Sequence, residues 1–133
     1  MTPRLRIGGD EVWVALTAPE RPSDEWRITA DRGGEFTADF GAYVEAEEVT
    51  AFAEGLLART RTAGTEAFRA EVSEGRGNPL QLSATPVGDD ALAFMVRLTP
   101  LGHDQTNHLD MEIGPVPLDG LGAELDQFRR DLA

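Results

Sequence analysis

The sequence contains no cysteine, and it has no apolar run long enough to form a membrane-spanning helix. The first absence excludes a disulfide framework and thiolate chemistry. The second excludes a helical span, which needs ~20 predominantly apolar residues. The first segment, Met1 to Val12, carries Arg4 and Arg6 but lacks the apolar region of a secretory signal. We therefore expect a protein that is located in the cytoplasm.

Lysine is also absent, since all twelve basic residues are arginine, and no catalytic motif is recognisable. None of the three serines lies in the Gly-x-Ser-x-Gly turn of a hydrolase nucleophile. The stretch Gly75 to Asn78 lacks the Lys-Ser/Thr pair of a phosphate-binding loop, and Gly8-Gly9-Asp10 does not continue into a dinucleotide-binding fingerprint. The sequence thus predicts no catalytic residues, no cofactor and no enzymatic activity.

Acidic residues dominate the charge, which is −12 at neutral pH. The segment from Gly33 to Ala58 contains six acids and no base, and the segment from Leu98 to Phe128 contains six more without an Arg or Lys. Such a field repels phosphate backbones and anionic membranes, so the charge argues against nucleic acid or a membrane as partner. It favours a protein partner of basic character. The alternative is that the charge serves solubility alone.

Two kinds of hydrophobic periodicity indicate an α+β fold. A period-two run at Phe36, Ala38 and Phe40 passes into a period-3.6 run that starts at Val49 and ends at Leu57. We predict one domain over residues 1–133, with a single antiparallel sheet of about seven or eight strands and two helices packed on one face. The predicted strands are Arg4–Ile7, Glu11–Thr17, Glu25–Asp31, Glu35–Tyr43, Ala67–Ser73, Leu80–Thr85, Ala91–Thr99 and Asn107–Ile113. The predicted helices are Ala46–Thr62 and Leu121–Leu132, the latter with Asp119 as N-cap.

Side-chain parity predicts how the strands pair. The apolar residues of the third and fourth strands are all even-numbered, so their loop must have an odd length, and Arg32-Gly33-Gly34 fits a three-residue loop. The same argument predicts the three-residue loop Val87-Gly88-Asp89. On the polar face, Arg27 is expected opposite Asp39, and Arg97 opposite Asp110. Gly55 lies in the middle of the first helix, where glycine is unfavourable, and one explanation is a close approach of that helix to the sheet.

Two groups of residues are candidates for a site. His108, Asp110 and Glu112 alternate along one strand face and offer one imidazole and two carboxylates to a metal ion, although any solvated strand face offers the same spacing. His103-Asp104 is most simply a turn. For a protein partner, the candidates are residues expected on the outward sheet face: Trp13, Asp39, Met95, Arg97, Asp110 and Glu112.

The stretch from Glu35 to Leu57, "EFTADFGAYVEAEEVTAFAEGLL", suggests a family. With its extended Phe-x-Ala strand, acidic helix start and aromatic-plus-leucine helix face, it resembles small bacterial proteins of the WapI-like immunity type and related uncharacterised actinobacterial families. Later strands and an apolar C-terminal helix complete the similar layout. The resemblance implies an antiparallel α+β domain without enzymatic activity that neutralises a toxin by binding it.

Three functions follow from these observations. The first is a protein-binding domain of the immunity type. The second is a structural or regulatory module that acts as a homo-oligomer or as a subunit of a larger assembly. The third is a metal-dependent enzyme that uses His103, His108 and nearby carboxylates.

Overall fold

The chain repeats one layout, in which a four-stranded antiparallel meander is followed by a helix. The computed structural model describes residues 2–21, 24–61, 66–73, 78–100 and 107–133. The first unit consists of β1 (Arg4–Gly8), β2 (Val12–Thr17), β3 (Trp26–Arg32), β4 (Phe36–Ala42) and α1 (Ala46–Arg61). The second consists of β5 (Phe68–Glu71), β6 (Leu80–Val87), β7 (Ala91–Leu98), β8 (Leu109–Pro117) and α2 (Leu118–Leu132). The α+β class and the order of the elements are as predicted.

The predicted single sheet is wrong, because the strands form two sheets in the orders β1-β2-β3-β4 and β5-β6-β7-β8. The edge strands β1 and β8 contact each other, but no ladder joins them within the described ranges. Pro115 and Pro117 of β8 have no N–H to donate. On β1, the N–H of Arg6 donates instead to Glu124 Oε1 of α2 at 3.3 Å. Both features explain why no ladder of backbone hydrogen bonds joins β1 to β8 in the described residues.

The odd loop length and the shared face of the even-numbered residues of β3 and β4 are confirmed, since Ala30 lies opposite Ala38 and Ile28 opposite Phe40. The predicted register is wrong, because each residue of β3 has its partner two positions further along β4. The loop has three residues, but it is shifted by one position to residues 33–35. Gly34 has a φ of +78°, in the region that favours glycine. The β6–β7 loop likewise has three residues, shifted to 88–90.

One hydrophobic core unites the inner faces of both sheets with both helices. The helices pack against each other. Phe128 of α2 meets Trp26 of β3 edge to face, with ring centroids 6.3 Å apart. The buried residues of the helices are Val49, Phe52, Ala53, Leu56, Leu57 and Thr60 in α1 and Leu121, Leu125 and Phe128 in α2. No helix in the described part of the chain is long and apolar enough to cross a membrane.

Strand β8 is longer than predicted because it contains a bulge. Leu92 pairs with Val116 and Phe94 with Ile113, so two residues of β8 lie opposite one residue of β7. The bulge reverses the alternation of buried side chains, which explains why the period-two pattern stops at Ile113 while the strand continues.

Helix α2 begins at Leu118, directly after Pro117 at the N-cap position. The predicted N-cap, Asp119, is therefore wrong. Asp119 lies in the first turn of α2, where a carboxylate interacts favourably with the helix dipole.

Candidate functional site

The outer face of the second sheet carries two rows of polar side chains that cross all four strands. Residues directly opposite one another on neighbouring strands define each row. The first row is Glu71, Gln81, Arg97 and Asp110, and the second is Arg69, Ser83, Met95 and Glu112. Four of the six predicted partner-binding residues therefore lie side by side on β7 and β8.

Arg97 and Asp110 form a bidentate ion pair on this face. Arg97 Nε donates to Asp110 Oδ1 at 2.9 Å, and its NH2 group donates to Oδ2 at 3.2 Å. The two residues are directly opposite each other, as predicted. The hydrogen bond from Arg97 holds the pKa of the Asp110 carboxyl below its usual value, and the same bond raises the pKa of Arg97. A bidentate pair fixes both side chains in one geometry.

The proposed metal ligands do not converge in the structure. His108 Nε2 lies 3.9 Å from Asp110 Oδ2, and that carboxylate already accepts two hydrogen bonds from Arg97. Within the described residues, no group of three His, Asp or Glu side chains could hold a metal ion. His103 and Asp104 lie outside the described residues.

Met95 interrupts this polar surface with an apolar side chain that is 39% exposed within the second row. Leu109, at the first position of β8, lies on the opposite face of the sheet, because it pairs with the buried Leu98, and it is 45% exposed at the start of the strand. An exposed methionine beside a fixed ion pair combines an adaptable apolar contact with an ordered polar one.

The remaining two candidates, Trp13 and Asp39, lie on the first sheet. The Trp13 ring is half-buried, and the guanidinium groups of Arg4 and Arg6 lie 5.7 and 5.1 Å from its centroid. The N-terminal strand thus covers part of the ring.

Asp39 forms the expected ion pair with Arg27, but its position in the register is different. Thr29, not Arg27, lies directly opposite Asp39. The ion pair therefore runs diagonally across β3 and β4. The six candidates are divided between two sheets and do not form one continuous set of cross-strand neighbours.

The structure contains a groove between α1 and β5, which the sequence did not predict. It has a volume of about 480 Å³ and is lined by one face of α1, from Glu48 to Arg59, and by β5 and Val72. Gly55 lies in its wall, and a Cβ added there would have no neighbouring atom within 4 Å. The close approach predicted for Gly55 is therefore wrong, because the glycine faces open space. A glycine in the middle of a helix was the signal that could have indicated the groove.

Comparison of the sequence with protein-family models gives no match, and comparison with curated proteins and with solved structures gives no match either. The resemblance to immunity proteins of the WapI-like type therefore stays a prediction.

Proposed function

We propose that this protein is a non-enzymatic protein-binding domain that contacts its partner through the outer face of the second sheet. The observation that carries the proposal is the exposure of Met95 next to the bidentate Arg97–Asp110 pair. Binding energy concentrates in a few contacts in which an apolar side chain is surrounded by ordered polar groups. Asp110 and Glu112 give this part of the face an acidic border.

The net charge of −12 favours a basic partner, because opposite charges accelerate encounter and select against wrong partners. A basic toxin domain, such as a nuclease, has the required chemistry. Neutralisation by direct binding needs no catalytic group on this chain. The proposed role is therefore that of an immunity-like inhibitor.

The test begins with the gene that lies directly upstream, which we expect to encode a basic toxin domain. Co-expression of this protein with that domain should restore growth, and the two should co-purify as a complex. We expect the Met95→Arg variant to bind at least about tenfold more weakly, because a charge replaces the apolar contact. The control is Tyr43→Ala, which removes an exposed aromatic residue between β4 and α1.

Growth that is not restored by the wild-type protein would contradict the immunity role. Equal binding by wild type and Met95→Arg would contradict the choice of surface. A complex whose affinity does not fall as salt is raised would contradict a basic partner.

A further inference from the structure

The first strand of each unit lies beside the helix of the other unit, but the two edges differ. Helix α2 lies beside β1, and Glu124 Oε1 accepts the N–H of Arg6. Strand β8 also contacts β1, and the space that remains there is about 260 Å³. Helix α1 lies beside β5, and the groove between them is nearly twice as large.

The ladder between β5 and β6 determines which backbone groups face this groove. The N–H of Val72 donates to the carbonyl of Leu80, which continues the register one position beyond the pair of Glu71 and Gln81. In an antiparallel pair, hydrogen-bonded and non-bonded positions alternate. Phe68 and Ala70 are therefore also bonded to β6, whereas the N–H and C=O groups of Arg69 and Glu71 point away from it. No backbone hydrogen bond joins these two residues to another described segment outside the ladder.

Helix α1 presents small residues to the middle of the groove. Between Glu48 and Arg59, the exposed residues on its groove face are Ala51 and Gly55. A Cβ at Gly55 would meet nothing within 4 Å. A central glycine destabilises a helix by about 1 kcal/mol relative to alanine, and no packing contact compensates for that here. Its effect is to keep the groove wide along the edge of β5.

The dimensions of the groove match a short strand. The helix wall from Glu48 to Arg59 is about 16 Å long at a rise of ~1.5 Å per residue. The strand wall from Phe68 to Val72 is about 13 Å long at ~3.3 Å per residue. A segment of about four or five extended residues therefore spans it.

The two ends of the groove carry opposite charges. At one end, Glu48 accepts a hydrogen bond from the Ser73 hydroxyl at 2.6 Å, next to Glu71. At the other end, the Arg59 guanidinium lies 5.1 Å from the centre of the Phe68 ring, next to Arg69. A bound segment is complementary to this arrangement when it places a basic side chain at the first end and an acidic one at the second.

We infer that the groove binds an extended peptide segment of a partner protein, which adds to β5 as a further strand. Its backbone exchanges hydrogen bonds with Arg69 and Glu71, and one of its side chains enters the space over Gly55. Strand addition of this kind takes affinity from main-chain hydrogen bonds and specificity from alternate side chains. At the corresponding edge of β1, a strand of the chain itself, β8, occupies the space, although no ladder joins β1 and β8 within the described residues. The groove is separated from Met95 and Asp110 by β6.

The free protein provides the first test, by amide hydrogen exchange measured with NMR. We expect the amides of Arg69 and Glu71 to exchange much faster than those of Ala70 and Val72. The Arg6 amide should be protected by Glu124. Protection of Arg69 and Glu71 in the free monomer would overturn the inference, because the edge would already be satisfied.

The second test uses a phage-displayed library of random linear peptides, selected on the immobilised wild-type protein. Selected peptides should protect the Arg69 and Glu71 amides from exchange and should bind Gly55→Trp at least about tenfold more weakly. Gly55→Ala should bind within about twofold of wild type. The matched control is Gly120→Trp on α2, which places the same side chain where a Cβ also meets nothing within 4 Å. Ala51→Trp gives an independent second block of the groove.

N-methylation of the selected peptides distinguishes a strand from a simple pocket ligand. Methyl groups on alternate nitrogens should reduce the affinity about five- to tenfold each, whereas those on the intervening nitrogens should have little effect. The inference is overturned if no peptide is enriched, if both tryptophan variants bind normally, or if N-methylation has the same effect at every position. A concentration-dependent dimer that Gly55→Trp abolishes would also overturn it, since the occupant would then be a second copy.

Discussion

The edges of β1 and β5 illustrate how few side chains decide whether a strand edge is closed or open. Both strands lie at the margin of a four-stranded meander and beside a helix. At β1, Glu124 accepts the N–H of Arg6. At β5, the facing helix position is occupied by Gly55, and the groove stays open. Unpaired edges are a risk of unwanted association, which proteins usually limit by keeping such strands short or covering them.

The two meanders are therefore alike in layout but differ at these edges. β5 is the shortest strand, with four residues, so its exposed row of backbone groups is short. A short open edge flanked by opposite charges is suited to a specific segment rather than to indiscriminate pairing. The corresponding space beside β1 is occupied by α2 and β8 of the chain itself.

The largest difference in stability is expected between two phenylalanines, Phe128 beside the first edge and Phe68 beside the second. Phe128 of α2 is 1% exposed and contacts Trp26, whereas Phe68 of β5 is 9% exposed and lines the groove. We expect Phe128→Ala to lower the free energy of unfolding by about 3–5 kcal/mol. The loss for Phe68→Ala should be smaller by about 1–2 kcal/mol, because the side chains around the groove can relax. Urea denaturation with unchanged slopes measures both. Equal losses would contradict the view that the β5 side is the open one.

Removal of Glu124 tests the closed edge directly. We expect Glu124→Ala to destabilise the protein by about 0.5–1.5 kcal/mol, because the Arg6 N–H loses its acceptor. The Arg6 amide should then exchange as fast as that of Arg69. Glu124→Gln is the control, since its carbonyl oxygen can still accept the bond. If Glu124→Ala leaves the protection of Arg6 intact, the side chain does not close this edge.

Local patterns in the sequence were sufficient to predict the elements and much of their pairing. Period-two and period-3.6 alternation placed the strands and helices in the right order, and parity alone gave three-residue loops near Gly34 and Gly88. The Arg97–Asp110 pair followed from the same register argument. These features depend on contacts between residues that are close in the chain or on adjacent strands. A periodic pattern of apolar residues is sufficient to predict such contacts.

The features that were not predictable depend on contacts between distant parts of the chain. The split into two sheets results from prolines in β8 and from Glu124 on α2. The sequence does not show that either of these lies next to β1. The bulge in β8 interrupts the alternation on which the prediction relied. A helical glycine is equally typical of a tight contact and of an open wall, and only the position of α1 beside β5 shows that Gly55 belongs to the second class.

A smaller change in stability, of opposite sign, is expected for a substitution at Gly55 in the α1 wall of the groove. Gly55→Ala should stabilise the protein by about 0.5–1 kcal/mol, because alanine favours the helix and its Cβ meets nothing. The comparison on the other helix is Gly122→Ala, whose Cβ would lie 3.7 Å from Thr60 Oγ1, an ordinary contact distance. Thermal unfolding of both variants measures the gain. A destabilised Gly55→Ala would contradict the open groove and restore the close approach expected from the sequence.

The smallest effect concerns the end where the two helices are linked by charge. A hydrogen bond from Arg129, assisted by the charges of Arg130 and Arg61, holds the pKa of the Asp126 carboxyl below its usual value. Arg61 belongs to the last turn of α1, and its NH2 group lies 3.9 Å from Asp126 Oδ1. A carboxyl with a lowered pKa in the folded state stabilises the protein fully above about pH 4, and this contribution is lost as the pH falls through the lowered value.

We therefore expect Asp126→Asn to be slightly less stable than wild type at neutral pH, and the difference should shrink as the solution is acidified below about pH 4. Both proteins are compared by urea denaturation over a pH series, with Asp89→Asn in the β6–β7 loop as the control for removing one charge. Because Arg61 and Arg130 are exposed and Asp126 is only half-buried, the effect should also weaken as salt is added. A stability difference that is constant across the pH series would show that Asp126 acts by packing rather than by charge, and the link between α1 and α2 would then not be electrostatic.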